Sequence, residues 1–190
     1  MKYFYKIISK ILAIEFIAKF IIKQFANQHP DFAILDENGV PYLERWWVFN
    51  RHPVSGETLS KGWGWTRFFP FSIRVHRFRS PDKDEHFHDH PWDAVSLIFA
   101  GSYVEKRTDL RMNPIAKTPY DYTLPYFLES GDVNFIKAND FHSIVKVTPD
   151  DAIDSLGVWT VFINFKKKKS WGFMMEDWSI VNWTKYLKID

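Results

Sequence analysis

Residues 86–92 read His-Phe-His-Asp-His-Pro-Trp and set three of the chain's seven histidines at every second position. In an extended strand alternate side chains share a face. His86, His88 and His90 are therefore expected to look one way, where one metal ion can take two of them. Neutral imidazole is the commonest protein ligand for zinc, iron, copper and nickel. The competing reading is a surface histidine cluster. Ala94-Val95-Ser96-Leu97-Ile98-Phe99 follows and reads as strand.

Other residues here carry chemistry. Ser72-Ile73-Arg74-Val75-His76-Arg77-Phe78 sends Arg74 and His76 to one face. If that face is the interior of a barrel, Arg74 is placed to meet a carboxylate or phosphate, because a buried charge is expensive unless paired. The alternative puts Arg74 and Arg77 in solvent and Val75 in the core. Trp92 closes the histidine run and is a candidate, with Arg74, to line a substrate pocket. Tyr103 and Glu105 share a face of the next strand. Either reaches a metal as proton donor, hydrogen-bond partner or extra ligand, or else Tyr103 packs in the core and Glu105 is a surface charge. Tyr103, Glu105 and His76 are the catalytic candidates. Asp89 points away from the histidine face by parity and reads as structural. Asp93 is either a group that orients a ligand histidine or an ordinary surface acid. No Ser-His-Asp arrangement, phosphate-binding Gly loop or nucleotide fingerprint is present.

Strands must hold these residues in place. Segments at 42–49, 69–78, 102–107, 121–128, 132–137, 142–147 and 158–165 read as short strands without long helices between them, which indicates an antiparallel sandwich or barrel. Residues 50–64 read as a loop covering one mouth, 108–120 as loop, and 171–187 as a wrap with one short helix. Lys166 to Lys169 reads as a solvated turn, with a phosphate or anionic-lipid contact as the alternative. At 190 residues the chain suits one domain with an appendage. The 46% hydrophobic and 18% aromatic content is ample for a core and excludes general disorder. A net charge of +2 argues against a dedicated nucleic-acid partner. The absence of Cys rules out disulfides and thiolate chemistry and fits a reducing, cytoplasmic setting.

Residues 2–27 contain no Gly or Pro and read as one amphipathic helix, with Glu15 its only acid against five lysines. Glu15 and Lys19 interrupt what would otherwise approach a membrane span. The helix either packs on the barrel or on a second subunit of a homodimer, which is favoured, or lies on a membrane surface. The expected division is a helix over 1–28 and a barrel over 29–190, with the helix separable from the metal site.

Two spacings give the chain a family likeness. Gly131, Lys137, Asn139 and His142 fall on the second element of the cupin pattern, with Asn139 standing where a left-handed Gly is usual. His88, His90 and Gly101 fall on the first element; Asp82 replaces its opening Gly and Ala94 its Glu. Over about residues 70–165 the chain therefore resembles the cupin superfamily, and His-Asp-His-Pro-Trp with Trp171-Gly172-Phe173 is similar to small cupins of bacteria and phages. The resemblance implies an all-β fold, the cupin antiparallel barrel or jelly roll, behind an N-terminal α-helix. It implies His88, His90 and His142 as metal ligands, with His86 as a spare ligand or a supporting group. Loss of the Glu resembles the three-histidine thiol dioxygenases, which favours iron(II) and oxidation of a small anionic substrate; zinc, nickel and manganese stay open. The rival functions are a sugar isomerase or epimerase and a non-catalytic binding module.

Overall fold

The computed structural model describes residues 1–36, 38–50, 69–83, 86–108, 117–121 and 123–188. The strands among them are β1 (Phe32–Leu35), β2 (Pro41–Phe49), β3 (Phe71–Phe78), β4 (Phe87–His88), β5 (Ala94–Ala100), which is buried throughout, and β6 (Ser102–Thr108). They continue as β7 (Thr123–Glu129), β8 (Val133–Ile136), β9 (His142–Thr148), β10 (Val158–Phe165), β11 (Gly172–Met174) and β12 (Ile180–Asn182). The strands pair into two antiparallel sheets, ordered β1-β2-β3-β10-β5-β8 and β12-β11-β4-β9-β6-β7. This is the expected all-β cupin-type sandwich, preceded by helix. The loop expected over 50–64 lies mostly outside the described residues, as does most of 108–120.

Side-chain parity decides what faces what. On the first sheet Arg74, His76 and Phe78 of β3, and Ser96 of β5, point toward the second sheet, where Tyr103, Glu105, His142 and Ile144 point back. Leu43, Phe78, Ile98 and Val158 from one sheet pack on Tyr103 and Ile144 from the other. Gly101 makes the β5–β6 turn at φ +78°, and a Cβ there would lie 2.9 Å from the Thr148 carbonyl and from Val158. Only glycine fits both conditions. Asn139 differs from expectation: non-glycine residues with positive φ are Asn50, Trp178 and Lys188 among those described. Asp140 closes that turn instead, its carboxylate accepting the Lys137 N–H at 2.9 Å and its own N–H donating to the Lys137 carbonyl at 2.9 Å.

The N-terminal segment is two helices, α1 (Lys2–Leu12) and α2 (Glu15–Ala26). The chain bends at Ile14, which is extended. No helix breaker sits there, so packing sets the bend. Ala18 and Ile22 of α2 bury against Trp46, Val75, Phe99 and Trp159 on the outer face of the first sheet. Trp46 and Trp159 stack with ring centroids 5.4 Å apart. Burial of Ile22 alone stabilises by about 1.5–3 kcal/mol. The expected boundary at residue 28 thus separates helix from strand in sequence, while α2 shares one core with the barrel. Trp171 onward supplies β11, β12 and the single turn α3 (Trp183–Tyr186).

Candidate metal centre

β4, β9 and β11 run side by side, and register places Phe173, His88 and His142 in one row across them. His88 ends β4 and His142 opens β9. His90 lies two residues past His88, in the bend before β5. That bend is held from behind. The buried Asp89 carboxylate accepts the Gly172 N–H at 2.9 Å and pairs with Lys169. With Asp89 anchored outward, His88 and His90 both turn toward His142.

The three imidazoles offer ligand atoms that all lie within 4.8 Å of one another. His90 Nε2 is 2.8 Å from His142 Nε2. Two nitrogens bound to one ion at about 2.0–2.1 Å stand roughly 3 Å apart, so this pair is already near a chelating separation. Protein atoms crowd all three rings. Burial, with His142 nearby, pushes the His88 imidazole down to about 3, and burial likewise holds His90 well below its ordinary value. Both are therefore neutral, the state that donates a lone pair. Nδ1 of His88 has no hydrogen-bond partner among the described residues. The donor set fits a divalent transition metal.

Glu105, on β6, is fully buried. Its Oε1 lies 3.1 Å from His142 Nδ1, a charge contact rather than an aligned hydrogen bond. Arg107 Nε donates to the same oxygen at 2.5 Å, and Asn134 Nδ2 donates to Oε2 at 2.7 Å. Burial alone would raise the Glu105 carboxyl, but His142 and Arg107 hold it at about 2. Burial works against a charged His142 as well, and the Glu105 carboxylate outweighs it, so the His142 imidazole is raised. A carboxylate on the far nitrogen of a ligand histidine fixes its tautomer and ring orientation.

A cavity of about 80 Å³ opens beside the three rings. Arg74, His76 and Phe162 line it from the first sheet, together with Arg45 and Trp92. Arg74 is buried and its Nη2 donates to Asn164 Oδ1 at 2.8 Å. Its guanidinium lies 4.7 Å from the Trp47 ring, 5.4 Å from Trp92 and 5.2 Å from Phe162. No carboxylate pairs with it among the described residues, and its Nε has no partner. Burial and the charge of Arg45 push its guanidinium well below the ordinary value. His76 stacks on Phe162 at 4.7 Å, and both its ring nitrogens lack partners. Burial, then Arg45 and Arg74, keep it neutral.

The remaining candidates divide. Tyr103 lines the cavity, but its hydroxyl accepts from Asn134 at 3.1 Å and burial raises it. Trp92 stacks parallel to His90, with centroids 6.3 Å apart. His86 stands outside the histidine group; its Nδ1 is 3.0 Å from the Tyr186 hydroxyl. Strand parity does not extend to it because β4 is only two residues long. Asp93 touches no histidine and accepts the Ala138 N–H at 2.9 Å and Lys168. Three residues were missed. Arg45 keeps step with Leu43 on β2 and is the register partner of His76. Asp82 lines the cavity and accepts the Ile144 N–H at 2.8 Å. Arg107 keeps step with Tyr103 and Glu105, a parity visible in the sequence.

No family model and no curated protein matches the chain. Among solved structures, an iron(II) form of the enzyme HppE is similar at 14% identity and a TM-score of 0.45, over 73% of this chain and 59% of that one. Hydroxypropylphosphonic acid epoxidase from S. wedmorenis is similar at 13% identity and a TM-score of 0.40, over 73% and 57%. A proposed mannose-6-phosphate isomerase from Ralstonia eutropha JMP134 is similar at 13% identity and a TM-score of 0.42, over 73% and 98%. The chain thus spans less than two thirds of the length of the first two. Two antiparallel sheets close around His88, His90 and His142, the all-β sandwich and three-histidine site that the cupin resemblance implies.

Proposed function

We propose that the protein is a metal-dependent enzyme that oxidises a small anionic molecule with dioxygen, using iron(II) held by His88, His90 and His142. When bound, iron(II) supplies Lewis acidity and the one-electron chemistry that lets dioxygen react. The carrying observation is the pairing, in one cavity, of three converging imidazoles with a buried guanidinium that has no carboxylate partner among the described residues. Arg74 is suited to grip a carboxylate or phosphate, which would relieve the cost of an unpaired buried charge. Arg45 adds a second positive charge. Trp92 and Phe162 exclude water from the substrate. His76, neutral and with both ring nitrogens without a partner among the described residues, is placed to hydrogen-bond the bound molecule. Glu105 keeps Nε2 of His142 aimed at the metal.

Metal analysis of protein purified without chelator tests this reading. Stoichiometric iron, with oxygen uptake stimulated by small organic anions, supports it. Protein that holds no metal and takes none on anaerobic reconstitution overturns it. Redox-inert metal with substrate turnover in the absence of oxygen would favour an isomerase.

A further inference from the structure

α1 turns only part of its apolar surface to the barrel: Tyr5 meets the Phe135 ring at 6.1 Å and Leu12 packs on the cluster that holds Ala18 and Ile22. The buried anchor of α1 is a serine: Ser9 Oγ donates to the Asp132 carbonyl at 2.6 Å and lies 3.3 Å from the Ile98 carbonyl. The opposite face carries Tyr3, Phe4, Ile7 and Ile11, which recur at helical spacing in one stripe, and Ile14 extends it. All are exposed; Phe4 retains 63% and Ile7 60% of its accessible surface. α2 buries Ala18 and Ile22 on the sheet but leaves Phe16 at 72% and Phe20 at 64%, one turn apart. A soluble surface rarely leaves such a group of large apolar side chains together.

Charge decides what covers this face. Lys2, Lys6 and Lys10 run four apart along the flank of the α1 stripe, and Lys19 and Lys23 accompany Phe16 and Phe20; all five are exposed. The one acid, Glu15, is neutralised by Lys19 at 2.6 Å. A second copy of the chain would bring five more lysines against these five. An anionic lipid surface matches both features, since apolar side chains enter the headgroup boundary while lysines meet the phosphates. No helix among the described residues is long and apolar enough to cross a membrane, so the helices would lie along the surface.

We propose that α1 and the outer face of α2 dock the protein on anionic membranes. Full-length protein should float with phosphatidylcholine vesicles that contain phosphatidylserine and stay behind with phosphatidylcholine alone. The variant Phe4→Ser/Ile7→Ser/Ile11→Ser removes only exposed side chains, so it should keep its circular dichroism and metal content. Each serine should weaken vesicle binding about tenfold or more. Lys2→Gln/Lys6→Gln/Lys10→Gln should weaken it about fivefold per lysine and reduce the preference for anionic lipid. Failure of the wild type to float overturns the proposal, as does undiminished flotation of the serine variant or of the glutamine variant. A wild-type dimer that becomes monomeric in the serine variant also overturns it, because a second copy then covers the stripe.

Discussion

Glu105 and His142 meet across neighbouring strands, Oε1 to Nδ1 at 3.1 Å, and the same carboxylate oxygen takes the Arg107 Nε–H. One buried acid is thus shared by an imidazole and a guanidinium. The imidazole nitrogen that remains is the one 2.8 Å from His90.

Replacing the acid should loosen the site without dismantling it. Glu105→Gln keeps the shape but removes the charge that orients His142. Metal affinity should fall about 10 to 100-fold, the usual cost of losing a partner behind a ligand histidine. Competition with a chromophoric chelator measures this, and an unchanged affinity would show that Glu105 serves the fold alone.

The ligands themselves should be less forgiving. His88→Ala, His90→Ala and His142→Ala should each lose more affinity than Glu105→Gln and lose most of the bound metal on purification. His86→Ala should retain it, since His86 engages Tyr186 instead. Elemental analysis of the four variants separates these outcomes.

Arg74→Lys should leave metal content intact and weaken binding of small anions. Lysine keeps a charge but loses the planar fork that grips two oxygens at once. The loss should be about 1.5–3 kcal/mol, the scale of a charged hydrogen bond. Calorimetry with a set of carboxylates and phosphates checks it; equal affinities in both proteins would remove Arg74 from substrate binding.

Acid stability should depend on Glu44. Burial by itself raises its carboxyl, but hydrogen bonds from Arg77 at 2.5 Å and Arg79 at 2.8 Å outweigh this and lower it from its ordinary 4.5. A lowered folded-state value means the contribution is complete above about pH 4.5 and fades as pH falls through the folded value. Glu44→Gln should cost about 3 kcal/mol at neutral pH and flatten the loss of stability on the acid side. Denaturant titrations across pH 3 to 7 (roughly the range over which a carboxyl titrates) would record both effects.

Ile22→Ala should destabilise the protein by about 2–5 kcal/mol while the metal content of folded protein stays the same. Ile22 packs on the outside of the first sheet and the histidines lie inside. Thermal melts paired with metal analysis test whether α2 is part of the barrel core or an attachment that can be removed.

His88 and His90 could be read directly from the chain because alternate residues share a face and because Asp89 between them must go the other way. The resemblance of two separated spacings was enough to add His142. Arg74 with His76 and Tyr103 with Glu105 were legible as same-face pairs for the same period-two reason. Parity, however, says which residues share a face and not which face looks inward. Closure of the two sheets decided that, while strand pairing within each sheet brought Arg45 beside His76 and Glu105 behind His142. Local sequence also promised one unbroken helix over residues 2–27. The bend at Ile14 arises because Ser9 and Ile22 are fastened to different parts of the barrel, more than a hundred residues away in the case of Asp132. Local periodicity carries no record of such distant partners, so the outward turn of the α1 stripe and the separation of His86 from the other histidines belong to the tertiary structure alone.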